Sequence, residues 1–78
     1  MVRVTYCKHD KTTYVIHDSE TYGEGLELEK WLRKNKRVVE DLYEIEVKDV
    51  IRLNVDVDSE FEKAEKVVLD ENCEDLKL

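Results

Sequence analysis

The sequence predicts an α+β fold in the order ββαββα, with a four-stranded antiparallel sheet and two helices packed on one face. Three observations predict it. Apolar and polar residues alternate in two pairs of segments, and apolar residues recur at helical spacing after each pair. The only two glycines, Gly23 and Gly25, separate the first strand pair from the first helix. One sheet with both helices on the same face buries every apolar stripe.

The first two strands form the predicted hairpin. VRVTYC (2–7) and TTYVIH (12–17) carry β-branched and aromatic residues and flank the turn-like stretch KHDK. Tyr6 shares one face of its strand with the valines before it, and Tyr14 shares one face with Ile16. If a single face is buried, these two sets must meet, which places Tyr6 opposite Tyr14 around an odd-numbered loop from His9 to Lys11.

The middle of the chain begins as a helix and ends as strands. Leu28, Trp31 and Leu32 predict a helix over about 25–35. Residues 37–42 suit either a helix or a strand. From Tyr43 to Val57 the alternation is strict, which predicts the third and fourth strands joined by a loop at residues 48–50.

The second predicted helix begins at Ser59, because Ser59 and Glu62 have the spacing of a capping box. Phe61, Ala64 and Val68 form its apolar stripe, and it is expected to end near residue 70. We therefore expect one α+β domain over residues 1–72 and an acidic, frayed tail over residues 73–78.

Composition limits the possible partners. The chain has 78 residues, with 20 acidic and 13 basic ones, for a net charge of −7. This balance argues against nucleic acid or an anionic membrane as the main partner and favours a basic protein. A chain this short buries a modest core, so a homodimer is expected. No apolar run exceeds three residues, which predicts a cytoplasmic protein with Cys7 and Cys73 as reduced thiols.

Metal and catalytic sites find little support. A calcium loop starting at Asp56 would need glycine at its sixth position and glutamate at its twelfth, where the chain has Phe61 and Val67. Cys7, His9, His17 and Cys73 are zinc-ligand types, but their spacing is not that of a paired-ligand motif. Only Cys7 with His9 approaches a nucleophile and base. The sequence therefore predicts no metal, no cofactor and no enzymatic activity.

A basic run, KWLRKNKR (30–37), suggests a weak nucleic-acid binder as an alternative. Trp31 lies on the apolar helical stripe, however, which favours a core position over base stacking. Glu27 with Lys30 and Glu29 with Arg33 have helix-pair spacing, so part of this charge is neutralised within the helix.

Acidic residues form the main candidate site. Alternate residues of a strand project from one face about 7 Å apart, a spacing close to that of phosphates along a nucleic-acid strand. The predicted acidic face consists of Glu44, Glu46, Asp56, Asp58, Glu62, Glu65, Asp70 and Glu71. Such a face either keeps a small domain soluble or is recognised by a basic partner.

The short length, the lack of proline and the acidic strands YEIEV and NVDVD resemble the small acidic early proteins of phages. Several of those proteins are DNA mimics. The resemblance implies an inhibitor that binds a basic DNA- or RNA-binding host protein and blocks it by imitating the phosphate backbone. The alternative is a protein interaction module whose acidic surface serves solubility only.

Overall fold

The computed structural model of the protein describes all residues from 1 to 78. It contains four strands and three helices. In chain order these are β1 (Val2–Cys7), β2 (Thr12–His17), α1 (Tyr22–Lys34), α2 (Lys36–Tyr43), β3 (Asp49–Asn54), α3 (Asp58–Leu69) and β4 (Cys73–Asp75).

The sheet is mixed, with strand order β3-β2-β1-β4. β1 is antiparallel to both of its neighbours, β2 and β4, whereas β3 runs parallel to β2. A parallel pair needs a crossover connection, and α1 with α2 supplies it between β2 and β3. α3 then connects the two edge strands, β3 and β4.

Helices cover both faces of the sheet, which creates two apolar cores. On one face, Val4, Val15 and Val50 pack with residues of the α1–α2 crossover such as Leu32 and Val39. On the opposite face, the core consists of Cys7, Tyr14, Ile16, Leu53, Ala64 and Val67. Every residue of β2 is buried, because this strand is central and covered on both sides.

The predicted fold is correct only at the level of α+β. The order is not ββαββα, the sheet is not purely antiparallel, and the helices do not share one face. The β1–β2 register also differs from the predicted one, because Tyr6 pairs with Thr13 and Tyr14 pairs with Thr5. The parity prediction assumed one buried face. With both faces buried, the apolar residues of β1 and β2 need not point to the same side.

The alternating segment after residue 42 is largely not a strand. Residues 36–43 form α2, and Glu44 ends it in the left-handed conformation with φ of 56°. The backbone of the next residues bonds locally rather than to a strand: Ile45 N–H donates to Glu40 O at 3.0 Å and Val47 N–H to Glu40 Oε2 at 2.8 Å. Val47 is buried and Tyr43 and Ile45 pack against the same core, so the period-two pattern reflects packing of a loop into the core on the α1–α2 side of the sheet. β3 starts only at Asp49.

The predicted capping box does not form. The residue preceding α3 is Val57, and no side chain caps this helix. Ser59 therefore lies within the first turn. A glutamate still satisfies a nearby amide, because Glu60 Oε1 accepts the Asn54 N–H at 3.0 Å.

Residues 73–75, expected in the acidic tail, form β4. Asp75 accepts hydrogen bonds from Arg3 Nε at 2.8 Å and Thr5 Oγ1 at 2.9 Å, and the bond from Arg3 holds the pKa of Asp75 below its usual value. Leu76 follows with its side chain buried in the core of the α1 face.

Cys7 and Cys73, expected as free thiols, are joined in a disulfide. They face each other between two hydrogen-bonded pairs of the β1–β4 ladder, Lys8 with Asn72 and Val4 with Leu76. Opposed residues at such a position are about 4.5 Å apart, and the Cα–Cα distance here is 4.0 Å.

None of the three helices combines the length and the apolar character that a bilayer span requires.

Candidate functional site

The predicted acidic face is divided in the structure. Glu44 ends α2 and Glu46 lies in the loop before β3, whereas Asp56 lies in the turn that follows β3. Glu46 and Asp56 are therefore at opposite ends of a six-residue strand, about 20 Å long. The four carboxylates that were expected side by side on two strands do not form one row.

Two of these carboxylates are engaged within the protein. Lys11 Nζ donates to Glu46 Oε2 at 2.9 Å, and this bond lowers the pKa of Glu46. Asp56 Oδ2 accepts the Ser19 N–H at 2.7 Å, and this bond lowers the pKa of Asp56. Asp56 thereby ties the loop before α1 to the turn before α3.

A shorter acidic row remains on α3. Asp58, Glu62 and Glu65 are exposed and follow the i, i+4, i+7 spacing of one helix side. We call this set the α3 acidic row; it extends about 10 Å along the helix axis. Asp70 follows the helix and Glu71 lies in the turn to β4.

The negative charge of the whole molecule is concentrated around this row. Residues 56–78 carry nine acidic and three basic side chains, a net charge of −6, whereas residues 1–55 carry eleven acidic and ten basic ones, a net charge of −1. α3 and the α1–α2 pair cover opposite faces of the sheet; α3 carries four acidic and two basic side chains, whereas α1 and α2 together carry five of each.

An apolar patch borders the α3 acidic row. A single helix cannot cover a four-stranded sheet face, and a cavity of about 230 Å³ remains open beside it. Its apolar lining includes Ile16, Val55, Phe61 and Val68, and Arg3 and Glu65 also line it. Phe61, expected in the core, is 47% exposed. We call this set the Phe61 patch.

The basic run lies on the opposite side of the molecule. Where α1 meets α2, a cavity of about 690 Å³ is lined by five basic residues, Arg33, Lys34, Lys36, Arg37 and Lys48, and by the two carboxylates of Glu40 and Glu46. Trp31, at 44% exposure, is not the core residue that the helical stripe predicts. It lines a separate shallow cavity with Glu24, Glu27, Leu28 and Lys30.

A third feature surrounds the disulfide. Cys7 and Cys73 border a cavity of about 460 Å³ together with His9, Asp10, Tyr14 and Asp70. His9 lies between two carboxylates, with Nδ1 3.9 Å from Asp70 Oδ2 and Nε2 4.0 Å from Asp10 Oδ2. Tyr14 Oη donates to Asp10 Oδ2 at 2.9 Å, and burial together with this bond raises the pKa of Tyr14 to about 12.

The sequence offered Cys7, His9, His17 and Cys73 as zinc-ligand types, but their spacing predicted no metal site, and Asp70 was not considered as a ligand. The structure excludes His17 from this cluster. His17 lies at the far end of β2, and its side chain faces α1 rather than α3. It is fully buried, with Nδ1 bonded to Asp18 O at 2.8 Å and Nε2 3.2 Å from Arg52 Nη1. His17 is a structural residue.

The chain matches no protein-family model, no curated protein and no solved structure. The resemblance to acidic phage proteins therefore stays a prediction.

Proposed function

We propose that the protein is a non-enzymatic binding module that engages a basic protein surface through the α3 acidic row and the Phe61 patch. The observation that carries this proposal is their adjacency: an exposed aromatic side chain and a row of carboxylates share one helix. Interfaces commonly combine a desolvated aromatic centre with a polar rim. Here Phe61 would be the centre, and Asp58, Glu62 and Glu65 would be the rim.

The partner of this surface is a nucleic-acid-binding protein of the host cell, acting in the cytoplasm. A surface that binds phosphates is lined with lysine and arginine, and a carboxylate row competes for the same side chains. The net charge of −6 in residues 56–78 also steers the protein toward a basic surface from a distance. The complex thereby blocks nucleic-acid binding by that partner. One copy of this chain or a homodimer of it occupies each nucleic-acid-binding site of the partner.

Charge reversal tests the proposal. The double variant Glu62→Lys with Glu65→Lys removes the centre of the row, and Glu24→Lys with Glu27→Lys on α1 is a control with the same change in net charge. All four positions are exposed, so both variants are expected to fold. A Phe61→Ala variant tests the patch separately.

The assay is capture of proteins from a lysate by the immobilised chain, with elution by salt or by duplex DNA. We expect the wild-type chain to capture basic DNA-binding proteins and to release them when duplex DNA is added. The α1 control is expected to capture the same proteins, and the variant with Glu62→Lys and Glu65→Lys is expected not to. Phe61→Ala is expected to weaken capture at least roughly tenfold, as loss of an interface aromatic does. Equal capture by the row variant and the α1 control contradicts the proposal.

A second candidate function is direct binding of nucleic acid by the basic cavity at the α1–α2 junction. Five basic side chains meet there, and the acidic residues 56–78 lie mainly on the other side of the sheet. Single-stranded oligonucleotide binding that weakens with salt, and that Lys34→Glu with Arg37→Glu abolishes, would favour this function. No retention on heparin at low salt would exclude it.

A further inference from the structure

We propose that reduction of the Cys7–Cys73 disulfide turns the surrounding cluster into a Zn²⁺ site, with Cys7, Cys73, His9 and Asp70 as its four ligands. Two thiolates, an imidazole and a carboxylate are a ligand set that zinc accepts in tetrahedral coordination. None of the four ligands belongs to the α3 acidic row, although Glu62 of that row lines the same cavity.

Distances support convergence of these ligands on one ion. The ligand atoms of His9, Asp70 and Cys73 all lie within 4.8 Å of one another. Zinc bonds of about 2.0 to 2.3 Å place neighbouring tetrahedral ligand atoms roughly 3.3 to 3.8 Å apart, so closure around an ion needs shifts of about an ångström. Cys7 lies outside this group of three, but its Sγ is bonded to Sγ of Cys73, so reduction of the disulfide leaves a fourth ligand atom beside the group.

The environment of His9 supplies the outer contact that zinc ligands usually have. Nδ1 is the ring nitrogen that faces Asp70, so it is the nitrogen available to the ion. Nε2 lies 4.0 Å from Asp10 Oδ2, so a shift of about an ångström brings it into hydrogen-bond range, where a carboxylate orients a metal-bound imidazole and raises its basicity. Asp10 is itself fixed, because it accepts the Thr12 N–H at 3.1 Å and the Tyr14 hydroxyl at 2.9 Å.

Reduction by a dithiol is sterically reasonable through the neighbouring cavity. Cys73 is partly exposed whereas Cys7 is fully buried, so a thiolate of the reductant attacks Sγ of Cys73. The Cys7–Cys73 bond breaks, and Cys7 leaves as a thiolate that takes up a proton. The second reductant thiol then releases Cys73, and the reductant becomes a disulfide. Zn²⁺ binding displaces the protons of both cysteine thiols.

The consequence concerns β4, a three-residue strand at the edge of the sheet. The disulfide links it to β1 under oxidising conditions. In a reducing compartment that link is lost, and a zinc ion held by both cysteines would replace it. His9, in the loop after β1, and Asp70, in the segment before β4, would be held at the same time.

Titration of the reduced full-length protein with Co²⁺, followed by competition with Zn²⁺, tests the inference. We expect thiolate-to-cobalt charge transfer in the near ultraviolet and the visible bands of tetrahedral cobalt, both absent from the oxidised protein and removed by Zn²⁺. His9→Ala and Asp70→Asn are expected to weaken binding at least roughly a hundredfold, since loss of an outer contact alone costs about 10 to 100-fold.

Matched controls are the adjacent exposed substitutions Lys8→Ala and Glu71→Gln, which are expected to bind like the wild type. His9 is 51% exposed, so its removal leaves the fold intact, which circular dichroism verifies. A reduced wild-type protein without tetrahedral cobalt bands overturns the inference. So does cobalt affinity that is the same in His9→Ala and Asp70→Asn as in the two controls.

Discussion

Replacing Gly25 by alanine is expected to destabilise the fold, although alanine favours helices. A Cβ atom at position 25 would lie 2.6 Å from Cδ2 and 2.8 Å from Cγ of His17. That ring is fully buried and bonded at both nitrogens, so it has no free direction in which to move. Gly23 lies in the same helix, and a Cβ atom there would have no neighbour within 4 Å, so Gly23 provides the matched control.

The magnitude follows from opposing contributions. Overpacking of a filled interior costs about 1 to 3 kcal/mol, and a displaced ring weakens two polar contacts worth roughly 1 kcal/mol each. Helix propensity returns about 1 kcal/mol. Gly25→Ala is therefore expected to lower the free energy of unfolding by about 2 to 4 kcal/mol, whereas Gly23→Ala leaves it unchanged or raises it by up to about 1 kcal/mol.

Urea unfolding followed by circular dichroism measures both values. A double-mutant cycle sharpens the test: in a His17→Ala background the ring is absent, and Gly25→Ala should then cost little or become stabilising. If Gly25→Ala is as stable as Gly23→Ala, or if its cost persists without the ring, contact with His17 is not the reason for glycine at this position.

Three further predictions concern stability. Cys73→Ser should lower the free energy of unfolding, measured in EDTA, by up to about 4 kcal/mol. The disulfide closes a loop between residues 66 positions apart, and closing a loop of that length removes about this much entropy from the unfolded chain. An unchanged urea midpoint would show that the disulfide does not stabilise the fold. The hydrogen bond from the Thr21 hydroxyl lowers the pKa of Asp18 from 3.8 to about 2. Its stabilisation is thus complete above pH 3.8 and lost as the pH falls toward 2, so Asp18→Asn should flatten the acid unfolding curve in that window, and an identical slope would contradict this. Glu44→Gly should raise the free energy of unfolding by up to about 1 kcal/mol and the melting temperature with it, because φ at this position is 56° and glycine adopts that conformation without steric cost. A lower melting temperature would contradict this prediction.

Local patterns predicted individual elements well where one interaction dominates. β1 and β2 have the predicted bounds, since runs of β-branched and aromatic residues favour strands wherever they pack. α1 and α3 begin and end within a few residues of their predicted limits. The prediction for the segment from Tyr43 to Val47 was wrong because a loop whose alternate side chains pack into the core produces the same alternation as a strand.

The distribution of charge along the chain can also be read from the sequence, because the net charge of a segment is the sum of its side-chain charges. Residues 56–78 hold nearly all of the net charge, and any fold that keeps α3 on the surface exposes it. The predicted row across two strands required a specific pairing, however. It failed when Glu46 and Asp56 proved to lie beyond opposite ends of β3.

The sequence by itself determined the strands β1 and β2, the approximate limits of α1 and α3, the distribution of charge along the chain and the residue types available for a site. Only the tertiary structure decided which faces of the sheet are buried, that β3 runs parallel to β2, that Cys7 meets Cys73, and that His9 lies close to Asp70 and Cys73. The physical reason is that strand pairing joins segments far apart in the chain. A three-residue strand such as β4 gains its stability from the edge it pairs with, and its own sequence carries no sign of that partner.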